Sequence, residues 1–173
     1  MSETVRQSPM VGIVMGSDSD LPVMTDTART LKQFAIPFEI EITSAHRSPA
    51  RTSEYARSAR QRGLKAIIVG AGGASHLAGI IAAESTLPVI GVPIANSPLS
   101  GMDSLLSTVQ MPGGVPVATM AVGKAGAVNA AIYAAQIIAT SDQRLQAALA
   151  SYKEDLARSV AEKSEKVKRE FQV

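Results

Sequence analysis

A chain of 173 residues, 46% of them apolar, is long enough for one domain with a full core. Zero cysteines exclude disulfides, iron–sulfur ligation and thiolate catalysis, and fit a reducing, cytoplasmic setting. A formal charge of +2 is too small to imply a polyanionic partner, and three Phe, three Tyr and no Trp leave no aromatic series for stacking nucleic-acid bases.

Met1 to Pro9 is polar, lacks the apolar centre of a signal peptide and is expected to be flexible. No run of roughly 18 apolar residues exists for a membrane span. Met10 to Met15 reads as a first strand, apolar on both faces as parallel strands are. A helix follows over Asp20 to Phe34, with Asp20 as N-cap and Pro22 in the first turn. Pro37 to Ile42 is the second strand, and Ser48-Pro49 opens a helix with a capping Ser and Pro at its first position. Ala66 to Val69 is the third strand, His76 to Glu84 a short helix and Pro88 to Val92 the fourth strand. Asp103 to Gln110 is helical, Val115 to Met120 is the fifth strand, and Gly126 to Ala139 is a buried helix rich in Ala and Ile.

Leu145, Leu149, Tyr152, Leu156 and Val160 form a helical stripe, so residues 141–170 are expected to be one long amphipathic helix. The alternation of strand and helix predicts a single α/β domain over 1–173, a three-layer αβα sandwich with a parallel, flavodoxin-like sheet. No sixth strand exists for the last helix to lie on. Its stripe is expected either to fold back over the domain or to pack on another subunit, and the small-residue helix from Gly126 favours an oligomer.

The loops leaving the carboxyl ends of parallel strands converge on one crevice, where ligands bind. The first loop, Gly16 to Asp20, offers backbone N–H groups at a helix start and the hydroxyls of Ser17 and Ser19, which suits an anion. The carboxylate of Asp20 or Asp18 is better placed to accept from sugar hydroxyls or to cap the helix. The second loop, Ser44 to Pro49, carries His46, an imidazole suited to acid–base work, beside Arg47, a forked donor for phosphate. The third, Gly70 to His76, has glycines that let backbone approach a ligand, and ends in His76, a lid hydrogen bond, a helix-start residue or a second acid. Both histidines of the chain thus fall in these loops. The polar stretch Asn96 to Gly101 follows the fourth strand and completes the pocket wall. Two isolated histidines without carboxylates at ligand spacing are poor material for a metal site, so none is expected.

With these residues assembled, the chain closely resembles the N5-carboxyaminoimidazole ribonucleotide mutase family of purine biosynthesis, the PurE family, in its mutase branch (class I). The resemblance rests on Val14-Met15-Gly16-Ser17 with Ser19-Asp20, Ser44-Ala45-His46-Arg47 and Gly70-Ala71-Gly72-Gly73-Ala74. His76-Leu77, Leu99 to Leu105, Gln110-Met111-Pro112 and Gly123-Lys124-Ala125-Gly126 continue it in order over roughly residues 10 to 140. It implies an isomerase that moves a carboxylate from N5 to C4 of an aminoimidazole ribonucleotide, with no cofactor. In that family the carbamate loses CO2 inside an enclosed site and the ring carbon captures it. His46 matches the family's acid–base group. Ser17, Asp20 and Arg47 match positions that contact the ribonucleotide, and Ser44, Gly72 and Gly73 shape the pocket around base and CO2. The resemblance also implies a homo-octamer. Two departures stand out: Ala78 replaces Pro in the family's His-Leu-Pro-Gly, and Gly113 stands where many relatives carry Arg.

Two rivals remain at this level. One is a carboxylase of the same family that uses free CO2. The other is a non-catalytic nucleotide-binding or receiver-like module on the same fold. A receiver needs a phosphorylatable Asp after the third strand, where this chain has Gly70-Ala71-Gly72.

Overall fold

The computed structural model describes residues 8–172; of the expected N-terminal tail, residues 1–7 lie outside the described residues. Five parallel strands form one sheet in the order β2-β1-β3-β4-β5. They are β1 (Val11–Met15), β2 (Phe38–Ile42), β3 (Ala66–Gly72), β4 (Val89–Ile94) and β5 (Ala118–Thr119). The helices are α1 (Leu21–Gln33), α2 (Pro49–Ser58), α3 (Leu77–Glu84), α4 (Met102–Val109), α5 (Lys124–Ala139) and α6 (Gln143–Phe171). This is the expected flavodoxin-like α/β sandwich. Its strand order reverses direction between β1 and β3, which opens the crevice at their carboxyl ends.

The period-2 alternation of the strands sorts the core into two layers. Val11, Ile13 and Met15 of β1 and Ile68 of β3 face Met24 and Leu31 of α1 and the alanines of α5. Val14, Ile67 and Val69 face Ala56 of α2 and Ile81 of α3. The small side chains of α5 suit a core short of aromatics, since Ala127, Ala130, Ala131 and Ala134 bring the helix close to the sheet. Among the described residues no helix is long and apolar enough to cross a membrane.

The fifth strand is shorter than expected. Only Ala118 and Thr119 pair with Ile90 and Gly91 of β4. Pro116 has no N–H for a ladder, and Gly113-Gly114 precede it, so the segment from Val115 runs as irregular chain before pairing. The third strand is longer, because Gly70, Ala71 and Gly72 continue the ladder opposite Val92, Pro93 and Ile94. What reads as loop in sequence is therefore strand up to Gly72.

Helix α6 is a single 29-residue element opened by Asp142, whose carboxylate accepts the Leu145 N–H at 3.1 Å. Its first turns dock on the domain through buried Leu145, through Leu149 and through Tyr152, which meets Phe34 edge-on. Beyond Tyr152 the stripe is uncovered, with Leu156 45% and Val160 67% exposed.

On the α2 side, the Tyr55 hydroxyl is buried and has no hydrogen-bond partner. Arg62 lies 4.5 Å over the Tyr55 ring and is paired with Glu39 at 2.9 Å, yet neither meets the hydroxyl in bonding geometry. Burial, then the neighbouring Glu39 carboxylate, pushes the phenol well above its ordinary value. An unpaired buried hydroxyl costs about 1–3 kcal/mol, whereas an apolar group of the same shape costs nothing comparable. Tyr55→Phe should therefore hold or raise stability by about 1 kcal/mol in a denaturant melt. A loss of that size would mean that the hydroxyl is bonded in solution.

Candidate active site

The first loop is shaped by its own side chains. Ser17 is extended (φ −157°) and its hydroxyl accepts the Ser19 N–H at 3.3 Å, while Asp20 Oδ2 accepts the Ser17 N–H at 3.1 Å. Together they form a reciprocal capping box over a 3-10 turn at Asp18–Asp20, which then runs into α1. Asp20 precedes α1 as expected, but its side chain makes no cap bond to it. The carboxylate is turned inward instead, 2% exposed, with Asn96 Nδ2 donating to Oδ1 at 3.1 Å.

Burial raises the Asp20 carboxyl above its ordinary value; the backbone amides of Ser17 and Gly16 partly offset this, and the Asp18 carboxylate adds to it. A folded value above the unfolded one means that ionising Asp20 costs folding free energy. That cost is absent below the unfolded value and grows as pH rises toward the folded one. Further hydrogen-bond donors would therefore stabilise the Asp20 carboxylate.

The second loop is held by Thr43, Ser48 and Thr52. Thr43 Oγ1 lies 2.9 Å from Thr52 Oγ1 and 3.2 Å from Ser48 Oγ. Ser48 stands at the start of α2 without capping it; its hydroxyl accepts the Ser44 N–H at 2.9 Å. The cap expected of Ser48 is thus replaced by a brace across the loop. Ser44 Oγ accepts the Arg47 N–H at 3.2 Å, and Arg47 Nη2 donates to the Gly16 carbonyl at 3.1 Å, tying the second loop to the first.

These loops and the end of β3 line an open cavity of about 300 Å³. Ser17, Ser19 and Asp20 line it from the first loop, Ser44, His46 and Arg47 from the second, and Gly72 and His76 from the third. Gly73 is the one expected residue not on its wall; φ of +58° makes it the pivot that turns the chain away from β3. Asn96 also lines the cavity, from the polar stretch after β4. Its position just past a strand's carboxyl end was the only sequence signal for it.

The two histidines meet. His46 Nε2 lies 2.8 Å from His76 Nδ1, with the rings edge-on at a centroid distance of 5.0 Å. His76 occupies the position before α3, yet its side chain caps nothing and reaches across to His46. A bond between two ring nitrogens needs one protonated and one bare nitrogen, so the contact links the two rings through a single proton. His46, Arg47 and His76 stand exposed at the rim, above the buried Asp20 at the floor. The arrangement combines a proton-carrying imidazole, a guanidinium donor and an acceptor carboxylate within one pocket. Among the described residues, no cluster of three or more His, Cys, Asp or Glu side chains could hold a metal ion.

A family model described as AIR carboxylase matches residues 10–159. The N5-carboxyaminoimidazole ribonucleotide mutase of Bacillus subtilis is 53% identical over 159 residues, covering 92% of this chain and 98% of the relative. The protein of the same name from Pyrococcus horikoshii is 53% identical over 161 residues, 93% of this chain and 90% of its own. A phosphoribosylaminoimidazole carboxylase of Candida albicans is 54% identical over 94% of this chain, which spans 28% of that longer protein. Among solved structures, Treponema denticola PurE superposes with a TM-score of 0.83 at 28% identity, over 92% of this chain and 99% of that one.

Proposed function

We propose, for a chain that belongs to the AIR carboxylase family, that it moves the carboxylate of N5-carboxyaminoimidazole ribonucleotide from N5 to C4 of the imidazole, in purine biosynthesis. The observation that carries this reading is the His46–His76 contact at 2.8 Å on the rim of a cavity that also holds Arg47 and Asp20. Mutase relatives similar over nearly their full length support it.

In the proposed mechanism His46 protonates N5 as the N–C bond to the carboxylate breaks, releasing CO2 inside the pocket. C4 of the electron-rich ring attacks that CO2, and His46 takes the proton that C4 sheds. The proton given to nitrogen is thus recovered from carbon, and the cycle needs no ATP, metal or organic cofactor. His76 holds the His46 ring in line for both transfers. Arg47 and the hydroxyls of Ser17 and Ser19 bind the 5′-phosphate, and Asp20 accepts from the ribose hydroxyls, which add to the donors it already has in the Ser17 N–H and Asn96. Ser44 and Gly72 shape the wall around the base. CO2 freed into bulk water would be lost, so the pocket must stay closed to solvent during transfer.

Uncovered Leu156 and Val160 on α6 support subunit packing, and we place the chain in a homo-octamer, as its resemblance implies, working in the cytoplasm. The identity to the Candida albicans carboxylase supports a second reading, capture of free CO2 by the decarboxylated ribonucleotide. The test is incubation with N5-carboxyaminoimidazole ribonucleotide without ATP, metal or bicarbonate. Appearance of the C4 isomer supports the mutase. No conversion, with carboxylation of the decarboxylated ribonucleotide once CO2 is supplied, would replace it by the carboxylase.

Gly72 offers a local check on the pocket wall. A Cβ there would overlap the carboxamide of Asn96, the group that donates to Asp20. Gly72→Ala should displace Asn96 and raise KM by about tenfold, the order expected for losing a hydrogen bond to a charged group. An unchanged KM would show that Asn96 is dispensable for setting Asp20.

A further inference from the structure

We propose that Ser107 and Thr108 of helix α4 are positioning residues that hold His76 against His46, an inference that rests on the isomerase reading above. Neither hydroxyl lines the cavity. Both grip the short turn that delivers His76 to it.

Ser and Thr in a helix interior are ordinarily neutral to unfavourable, because their hydroxyls compete with the backbone. In α4 they are consecutive residues, and each hydroxyl is oriented by a carbonyl of the preceding turn. Ser107 Oγ donates to Asp103 O at 2.8 Å and Thr108 Oγ1 to Ser104 O at 2.7 Å. So fixed, they present their oxygens to Ser75. The Ser75 N–H donates to Ser107 Oγ at 3.0 Å, and the Ser75 hydroxyl lies 3.0 Å from Thr108 Oγ1. Ser75 is 3% exposed and Thr108 1%, so water is a poor substitute for these partners.

The turn has little other support. Gly73 enters it at positive φ, and the His76 N–H closes it onto Ala74 O at 2.8 Å. Ser75 is thus the anchored residue, and His76 follows it directly. Helix α4 is itself seated on the sheet, with Ser104 Oγ donating to Ile94 O at 3.0 Å and Asp103 accepting from Ser97 at 2.8 Å. One helix therefore fixes both the turn carrying His76 and the segment carrying Asn96. A contact of 2.8 Å between two ring nitrogens does not survive a shift of an ångström, and misplacement on that scale costs about 10²-fold in rate.

The test uses Ser107→Ala and Thr108→Val in the full chain, with Ser107→Thr and Thr108→Ser as conservative partners. Two readouts are needed: kcat and KM for the isomerisation, and the ¹⁵N spectrum of the histidine rings, simple because the chain has two histidines. We expect Ser107→Ala and Thr108→Val to lower kcat about tenfold or more with KM within about threefold, and to shift the ring-nitrogen signals of the His46–His76 bond. The hydroxyl-bearing variants should recover most of both. Variants that melt earlier but keep kcat within about twofold and leave the ring signals unchanged would overturn the proposal. Should the unmodified chain fail to isomerise the ribonucleotide, the functional reading falls. The ring spectra would still decide whether α4 sets the histidine contact.

Discussion

Replacing His46 with Asn should lower kcat for the isomerisation by about 10²–10⁴-fold, while affinity for the ribonucleotide stays within about tenfold. Asn keeps a polar group of similar reach that can still face His76 Nδ1, but it carries no proton between N5 and C4. The 2.8 Å contact with His76 places this imidazole at the rim, away from the floor where Asp20 lies buried, so anchoring does not depend on it. Steady-state kinetics together with calorimetric titration of the ribonucleotide separate the two effects. Near-normal turnover in this variant would remove His46 from the chemistry. Loss of binding with unchanged kcat would make it an anchor.

Arg47→Ala should act in the opposite way, weakening ribonucleotide affinity by about 10- to 150-fold with a smaller effect on kcat. That range corresponds to a charge-assisted hydrogen bond of about 1.5–3 kcal/mol. Arg47 donates through Nη2 to the Gly16 carbonyl at 3.1 Å, and no carboxylate pairs with it among the described residues. The rest of its fork is therefore available to an incoming anion. Arg47→Lys should restore only part of the affinity, since an ammonium supplies charge without the planar fork. Affinity unchanged in Arg47→Ala, measured at constant ionic strength, would contradict the phosphate role.

Much of this site was legible because strand ends mark themselves. β-branched runs followed by Gly16, Ser44 and the glycines from Gly70 announce the carboxyl ends of parallel strands, to within two residues at β3, and parallel topology brings those ends together. His46, Arg47, Asp20 and Ser17 were found from that logic, and all of them line one cavity. The same logic misplaced what depends on side-chain direction. Asp20 and Ser48 have the residue type and spacing of helix caps, but Ser48 turns its hydroxyl across its own loop and Asp20 binds the Ser17 N–H and Asn96. Nothing in one-dimensional spacing says that Asp20 will prefer the Ser17 N–H and Asn96 over the start of α1.

The His46–His76 contact was hidden for a related reason. The residues lie 30 positions apart on loops from β2 and β3, which are not neighbours in the sheet, since β1 runs between them. Their meeting depends on where the turn after Gly73 points, and that turn is set by Ser107 and Thr108 far along the chain. The fifth strand failed on local chemistry: Val115 to Met120 has strand-like side chains, but Pro116 and its glycine approach leave two residues to pair.

The most direct test of the central claim is the fate of the migrating carbon. Substrate carrying ¹³C in its N5-carboxylate is converted in buffer charged with unlabelled CO2, and the C4-carboxylate of the product is analysed for isotope. Retention of ¹³C in nearly all of the product is the predicted result, because CO2 released and recaptured within one pocket does not mix with the pool. Product labelled in proportion to the surrounding CO2 would contradict it, and would make the chain a carboxylase that takes its carbon from solution.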